Sequence, residues 1–338
     1  MLKILLNFQR NIICISLLLL SNLQAQILFV PLKNESTFNG KWNISEDIPN
    51  FLAAYMRDLN KTDVLSSTAF LSLLKEDERT PAVYSDIEFL DAKLDELEYN
   101  YALLGTINSF GIARFNAGEP HLGGFESFSC GIEISVKIYN KLTNNIVFSE
   151  KIEGSVTRNT LGLNLFGKPS DDKEQFYGLD KIKFGGEDFG KTIVSDALLK
   201  LGEELVSRIT EVDKSIFKTS AIVTEKKFET LDKTLNDITI KTDIVKGELL
   251  TYDEETGEAF INLGSAHQIK LGEEFGIYTE SDSLFDSSTN EFLGVSEKKV
   301  SQLEIVEIRG EKFSLAIVRQ NRDKVAKGMI VKKIFIKQ

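Results

Sequence analysis

The spacing of apolar residues changes partway along this chain, and the change limits the folds available to it. Up to about residue 212, segments with helical spacing alternate with short strand-like segments. From residue 247 onward, short strand-like runs follow one another and are separated by glycines. Alternating elements are typical of a sheet flanked by helices, whereas short strands with glycine turns are typical of a small barrel or sandwich. The 338 residues are enough for two such domains.

Strands and helices alternate in the first part of the chain. Ile27–Leu32 and Tyr101–Ile107 are continuous apolar runs, which are typical of strands covered on both faces. The apolar spacing of Ile48–Leu59 predicts an amphipathic helix with Pro49 in its first turn. Further along, Val194–Ile209 has the same helical spacing. A mixed sheet flanked by helices is therefore predicted.

Two local signals add detail to this part. Ser85-Asp86-Ile87-Glu88 is spaced as a capping box, so a helix is expected to follow Ser85. Apolar and polar residues alternate along Ile132–Tyr139, and after a turn a second strand is expected at Ile146–Ile152. These two strands would form an antiparallel hairpin at one side of the sheet.

The pattern divides the chain into four segments and predicts an α+β protein. Residues 1–25 are expected to be a signal peptide, and 26–212 an α/β domain with a mixed sheet flanked by helices. Residues 213–246 are rich in Lys, Thr and Asp and are interpreted as a connector. Residues 247–338 are expected to form a small C-terminal β-barrel or sandwich.

The first residues predict export. Lys3 and Arg10 precede the short apolar stretch Ile12–Leu20, and Leu23-Gln24-Ala25 is an acceptable cleavage tripeptide before Gln26. An apolar stretch of about nine residues is far shorter than the ~20 needed to span a bilayer. We therefore expect cleavage between Ala25 and Gln26 and a periplasmic mature chain. Cleavage would take the net charge from −11 to about −13, because the leader has two basic and no acidic residues.

Cysteine usage is informative once export is assumed. Cys14 would leave with the leader, so the mature chain keeps only Cys130 and cannot form an internal disulfide. The residues before Cys14 lack the small side chains expected of a lipoprotein site, so lipidation is not predicted. The role of Cys130 stays open. Two His and a net charge of −11 argue against a transition-metal site and against nucleic-acid binding.

One segment matches the phosphate-binding loop pattern G-x-x-x-x-G-K-[ST]. Gly185, Gly190, Lys191 and Thr192 supply its defining positions, and a predicted helix follows. However, bulky Phe189 precedes the second glycine, where the backbone would have to close on the phosphates. Two acidic residues also lie inside the loop, and no convincing strand leads into it. We interpret the match as fortuitous and keep a nucleotide-binding protein only as the third alternative.

No catalytic residue, cofactor or metal site is predicted elsewhere. His121 and His267 lie in predicted loops without a nearby Ser or Cys partner. Asp282, Asp286 and Glu291 are spaced acids, but their segment lacks the glycine that a calcium loop needs. Matches to S-x-x-K occur three times without the companion motifs of the enzymes that use it. The residues therefore favour a protein that is not an enzyme.

The order of elements in Ile27–Thr210 resembles the periplasmic α/β domain shared by curli-assembly secretion protein G and the penicillin-binding-protein activator lipoproteins. The segments that carry this resemblance are Ile27–Leu32 with Asn34, Ile48–Leu59, Asp63–Leu65, Tyr101–Ile107, the hairpin Ile132–Tyr139 with Ile146–Gly154, and the helix from Lys191. Together they cover more than half of the mature chain.

The last third resembles the C-terminal domain of flagellar assembly protein T. The segments that fall in that family's order are Ile261–Ser265, Lys270–Tyr278, Asp286–Gly294, Ser314–Ile317 and Val325–Val331. Asn290 stands where the family more often has Gly, a departure in one turn. The flagellar proteins are periplasmic, non-enzymatic ring components, so this resemblance implies self-association and envelope or flagellar proteins as partners.

These observations predict a non-enzymatic structural component of a cell-envelope assembly, in the form of a ring near the flagellum or the outer membrane. The alternative is a subunit of a curli-type outer-membrane secretion channel, whose membrane hairpins would fall at residues 108–129 and 155–185. Charged residues in the second segment, and the lack of clean alternating strands of about ten residues, argue against that alternative. At most peripheral association with the outer membrane is expected.

Overall fold

A computed structural model describes residues 26–60, 62–119, 123–162, 178–186, 188–212, 214–217, 242–285 and 292–336. The described residues fall into two compact units. One is drawn from 1–112, 130–155 and 174–240, and the other from 113–129, 156–173 and 241–338. The predicted signal peptide and most of the predicted connector lie outside the described residues.

The first unit contains most of a mixed sheet whose strands follow the order β3-β1-β4-β5-β6, with β2 beside β4. The residues of β4 from 113, of β5 up to 129 and of β6 from 156 are assigned to the second unit. Strands β1, β2 and β3 are parallel to their neighbours. β5 follows β4, and β6 follows β5, after short connections, which makes these pairs antiparallel. The strands are β1 (Gln26–Phe29), β2 (Lys33–Asn34), β3 (Asp63–Leu65), β4 (Tyr101–Glu119), β5 (Gly123–Asn140) and β6 (Asn145–Gly162).

Helix α1 (Ile44–Asn60) begins one turn earlier than the sequence predicted, so Pro49 lies inside it rather than in its first turn. Proline has no N–H, and the Ser45 carbonyl therefore loses its partner within the helix. The Leu32 N–H takes that place and donates to Ser45 O at 2.9 Å. An external donor thus compensates the proline and ties the helix to the chain that follows β1.

Three further helices pack on the opposite face of β1 and β4: α2 (Ser67–Leu73), α3 (Pro81–Tyr84) and α4 (Ile87–Leu97). Leu28, Phe70, Leu90 and Leu94 belong to their common core. The predicted cap of α4 is wrong by one residue. Asp86, not Ser85, accepts the first N–H groups of the helix, whereas the Ser85 hydroxyl donates to the Pro81 carbonyl at 3.0 Å.

Strands β4, β5 and β6 are much longer than the sequence predicted. They have 19, 18 and 18 residues, whereas the apolar patterns supported only about eight each. Strand structure thus extends into both segments considered for membrane hairpins: β4 and β5 continue into 108–129, and β6 continues into 155–185. Residues 163–177 of that second segment lie outside the described residues.

Helix α5 (Ile193–Val212) packs beside α1 and completes the first unit. Its buried side includes Val194, Leu198, Leu201 and Leu205, as the helical spacing predicted. None of the helices in the described ranges is long and apolar enough to cross a membrane.

The second unit contains a closed six-stranded barrel in the order β10-β11-β8-β7-β12-β9. Its strands are β7 (Thr242–Tyr252), β8 (Glu258–Ile261), β9 (Glu274–Phe285), β10 (Phe292–Ile308), β11 (Ser314–Val318) and β12 (Ile330–Ile336). The side chains of its core include Leu249, Ile261, Ile277, Leu303 and Val331. The predicted α+β class with a C-terminal barrel is confirmed, although the first barrel strand begins at Thr242, inside the predicted connector.

Candidate interaction surface

Strand β6 forms an edge of the sheet in the first unit. Among the strands that the structure describes, it has a neighbour, β5, on one side only. Side chains alternate along it: Ile152 and Gly154 are buried, whereas Lys151 and Glu153 are exposed. Gly154 lies against α5, since a Cβ built on it would be 2.2 Å from the Ala197 carbonyl oxygen. One face of β6 is therefore covered by a helix and the other is open.

The open face carries a cluster of polar side chains. Asn108 on β4 donates its amide to Glu133 Oε1 at 2.9 Å and to Ser135 Oγ at 2.8 Å. Lys151 on β6 reaches the same Glu133 oxygen at 3.2 Å. The hydrogen bond from Lys151 and the one from Asn108 lower the pKa of Glu133. The carboxylate is thus ionised and partnered, so this face offers a solvated charged surface and not a general acid.

The segment that matches the phosphate-loop pattern forms tight turns that use its own polar groups. The N–H groups of Gly186, Phe189 and Thr192 donate to Lys183 O at 3.1 Å, Gly186 O at 3.1 Å and Phe189 O at 3.0 Å. A phosphate-binding loop needs such N–H groups directed at the ligand. Gly185 has φ +72°, a turn conformation that glycine favours. These donors are already used within the protein.

The Lys and Thr of the same match are also engaged. Lys191 Nζ lies 3.2 Å from Asp188 Oδ1. The Thr192 hydroxyl, fully buried, donates to the Phe189 carbonyl at 2.8 Å and accepts from the Ser195 N–H at 3.1 Å. It therefore acts as a helix cap for α5, although the pattern would assign it to Mg²⁺. Gly190 lies in the short turn that precedes this cap.

Nucleotide titration tests the interpretation of the match. We expect Lys191→Ala to leave the response to MgATP unchanged from the wild type, with no saturable binding by either protein. Trp42 fluorescence is a suitable readout, since its ring centroid lies 5.5 Å from that of Phe189. The matched control is Lys181→Ala, which removes another exposed lysine of the same segment. Saturable binding that Lys191→Ala alone abolishes would contradict this interpretation.

Aromatic side chains hold this segment to the loop before α1. Phe189 packs against Phe184 at 4.4 Å between ring centroids and against Trp42 edge-on at 5.5 Å. The Trp42 indole N–H donates to the Ile182 carbonyl at 2.8 Å. Phe38 extends the cluster by an edge contact with Phe110 on β4 at 4.6 Å. The packing explains why a bulky Phe occupies this position in the motif.

The remaining residues that the sequence singled out lie apart from this surface. Cys130 is a buried free thiol on β5, and burial, with the nearby charge of Asp196, raises its pKa to about 12. A thiol with so high a pKa is a poor nucleophile. Ala25 lies outside the described residues. Gln26 is the first residue of β1, and its side-chain amide donates to Asp63 Oδ2 at 3.3 Å.

The barrel carries its own charged cluster, which sequence analysis missed. Glu297 on β10 accepts from Lys246 on β7 and from Lys332 on β12, both at 2.8 Å. Burial opposes the ionisation of Glu297, but the two lysines outweigh it and lower its pKa. Lys332 also lies 4.2 Å from the centroid of the Tyr278 ring. The cluster joins three strands that are far apart in sequence, so local spacing does not reveal it.

The described part of the chain contains no group of three or more His, Cys, Asp and Glu side chains placed to hold a metal ion. His267 accepts the Gly264 N–H through Nδ1 at 3.1 Å, which makes it part of a turn. His121, Asp286 and Glu291 lie outside the described residues. The edge of β6, which has a described neighbour on one side only, is therefore taken as the candidate interaction surface.

No protein-family model matches the chain, and no curated protein sequence does. Among solved structures, it is similar to the hypothetical protein CT253 from Chlamydia trachomatis, with 14% identity and a TM-score of 0.33 over 56% of this chain and 97% of that one. It is also similar to lipoprotein GNA1162 from Neisseria meningitidis, with 15% identity and a TM-score of 0.27 over 45% and 91% of the two chains.

A third similar structure is the C-terminal domain of LpoB from Salmonella enterica, with 14% identity and a TM-score of 0.25 over 42% of this chain and 90% of that one. One of the three, GNA1162, is named as a lipoprotein. The curli and flagellar specifics stay predictions. All three TM-scores are below 0.5, so the likeness carries no inference about activity or partners.

Proposed function

We propose that the mature chain is a non-enzymatic, periplasmic component of a cell-envelope assembly, held by neighbouring proteins through strand contacts. The observation that carries the proposal is β6, an edge strand of 18 residues whose outward side chains from Ser149 to Thr157 are exposed. Proteins normally shorten, twist or cover such an edge, because its main-chain groups can pair with another chain. A long open edge is suited to adding a strand from a partner.

The closed barrel is not suited to the strand pairing proposed for β6. A closed barrel has no strand edges, so it cannot extend its sheet by pairing. In the first unit, β3 at the other edge has only three residues and pairs in parallel with β1. Among the described strands, β6 therefore offers the longest edge for assembly, and a ring at the flagellum or the outer membrane is one form that such an assembly would take.

A curli-type channel subunit is the second candidate, and the lengths of β4 and β5 favour it. A strand that crosses the outer membrane needs about ten residues, and these strands have 19 and 18. Phe115 on β4 is 62% exposed, as a lipid-facing side chain would be. Arg114, next to it, lies 5.9 Å from the centroid of the Phe128 ring on β5. The hairpin thus has one exposed aromatic residue and one basic residue close together.

Fractionation separates the two candidates. The full chain with its leader would be expressed in a Gram-negative host, and the envelope washed first with high salt and then with detergent. We expect the mature chain, beginning at Gln26, to be released by salt. The N-terminal residue and the released fraction are read by mass spectrometry, with a leaderless chain as the control for cytosolic material.

Two results would overturn the proposal. A protein that leaves the membrane only with detergent would favour the channel. A protein that keeps its leader and stays in the cytosol would remove the envelope role altogether. Light scattering would also give the molar mass of the protein in each envelope extract. A molar mass of a single copy in every extract would argue against an assembly role.

A further inference from the structure

We infer that β6 pairs with β6 of a second copy, antiparallel, about a twofold axis that passes beside Ile152. The inference rests on the proposed function and specifies it, since it names the partner strand and the register. The pairing would join two sheets into one continuous sheet across the edge described above.

Symmetry restricts the registers that such a pair can adopt. A twofold axis perpendicular to the sheet leaves each side chain on its original face. Residues directly opposite each other in an antiparallel pair also share a face. Both conditions hold only when one residue lies opposite its own copy, and every other residue then meets the one equally far on the other side of the centre.

The charges on the open face select among these registers. A centre at Lys151 places two lysines opposite each other, and a centre at Glu153 places two glutamates opposite each other. Like charges in that position are destabilising. A centre at Ile152 instead places Lys151 opposite Glu153 of the partner copy, and symmetry repeats the pair. Glu153 is exposed, and Lys151 is 71% exposed although its ammonium group also lies 3.2 Å from Glu133 Oε1 of its own chain, so the partner's Glu153 would share it with Glu133.

The neighbouring positions are compatible with the same register. Ser149 meets Ser155 of the partner copy, and both are small, polar and exposed. On the helix-covered face Ile152 lies opposite its own copy, and because its side chain is already buried within each copy, this position brings no charged group to the pair. The alternative centre at Gly154 would bring two glycines together without side-chain contact. The sequence of β6 is therefore complementary to itself about Ile152.

Charge reversal tests the pairing. Purified mature protein would be diluted through the dimer–monomer transition and its mass followed by light scattering. We expect Glu153→Lys to weaken dimerisation by about tenfold, because it replaces two attractive pairs with two repulsive ones. Lys151→Glu should weaken it at least as much, since it also places a carboxylate beside Glu133 of the same chain. The double variant restores opposite charges, so its dimerisation should return close to that of the wild type. The control is Lys137→Glu, an exposed lysine on β5 that is away from the edge.

Disulfide trapping tests the register. Ser149→Cys and Ser155→Cys would be made in separate chains, which leaves buried Cys130 as the other thiol. In the proposed register, a mixture of the two variants forms a disulfide between copies, whereas neither variant alone does. Positions 149 and 155 of one strand lie about 20 Å apart, so a disulfide within one chain is excluded.

Several results would overturn the inference. These are a monomer at all concentrations, a double variant no better than the single ones, or cross-linking of Ser149→Cys with itself. If the amides of β6 gain protection from hydrogen exchange only in envelope extract, the strand that pairs with β6 belongs to another protein. None of these outcomes changes the fractionation result, so the two proposals fail separately.

Discussion

Phe189→Ala is expected to lower the free energy of unfolding of the first unit by about 3–5 kcal/mol, the range found for buried aromatic residues cut back to alanine. The side chain is 1% exposed. Its ring contacts the rings of Phe184, Trp42 and Phe51, with centroid distances of 4.4, 5.5 and 6.2 Å. The cavity left by alanine would lie between the segment before α5 and the loop before α1, both of which depend on these contacts.

Urea denaturation followed by tryptophan fluorescence measures this loss. The chain has a single tryptophan, and Trp42 lies inside the affected cluster, so its emission reports on the first unit. The control is Leu142→Ala, which removes an apolar side chain that is 59% exposed in the same unit. We expect the control to change stability by less than about 0.5 kcal/mol. A loss below about 1 kcal/mol for Phe189→Ala would contradict the packing role.

The same residue shows why a short motif cannot be assigned from its pattern alone. Gly185, Gly190, Lys191 and Thr192 have the spacing of a phosphate loop, but the pattern records identities and not the direction of N–H groups. In the structure those N–H groups bond to nearby carbonyls. Phe189, the residue that fits the motif worst, is the one with the most aromatic contacts in the segment. The poor fit of Phe189 to the motif was therefore the sequence feature that indicated a packing role for this segment.

The fold class was predictable because burial has a local period. The apolar stripe of Ile48–Leu59 and the alternation of Ile132–Tyr139 each follow from one element facing one core, and the structure buries those faces. The start of α1 was not predictable in this way. Its first turn depends on the bond from Leu32 to the Ser45 carbonyl, a contact between residues that no local pattern connects.

Strand length was the largest error, and it has a physical cause. Beyond Ile107, β4 continues through Asn108, Ser109 and Gly111, residues that are polar or small and carry no apolar alternation. Strand structure there is maintained by main-chain bonds to the neighbouring strand, which side-chain patterns do not report. β7 was missed for a related reason, because its residues Lys246 and Glu248 are exposed on the outside of the barrel.

The edge position of β6 could not be predicted from one sequence either. Ile146–Ile152 was predicted as the second strand of a hairpin, and that part is confirmed. Whether a hairpin strand has a further neighbour depends on the order of all strands in the sheet. Because the strand order places β6 at the edge of the sheet, its exposed residues Lys151, Glu153 and the serines lie where the proposed interface would form.

A glycine inside β6 leads to the second large expected effect. Gly154→Val should lower the free energy of unfolding by about 3 kcal/mol, at the upper end of the usual cost of overpacking. A Cβ at this position would lie 2.2 Å from the Ala197 carbonyl oxygen and 2.7 Å from the Leu201 amide nitrogen. Both atoms belong to the backbone of α5, so relief requires the whole helix to move away from the sheet.

Such a movement is opposed on the other side of the helix. A Cβ at Gly202 would lie 2.9 Å from Cγ of Tyr55 on α1, so α5 is already packed closely against that helix. Glycine in the interior of a strand weakens it and often marks a close approach of another backbone. Gly154 and Gly202 together therefore set the distance of α5 from the sheet and from α1.

Gly131→Val is the matched control, because it makes the same substitution in the neighbouring strand. A Cβ at Gly131 on β5 meets nothing within 4 Å, and valine suits a strand better than glycine does. We expect its stability to equal or exceed that of the wild type in the same denaturation experiment. Equal losses for the two variants would show that glycine is needed for chain flexibility and not for the approach of α5. A loss confined to Gly154→Val would assign the effect to the helix backbone, because the two sites differ only in what faces them.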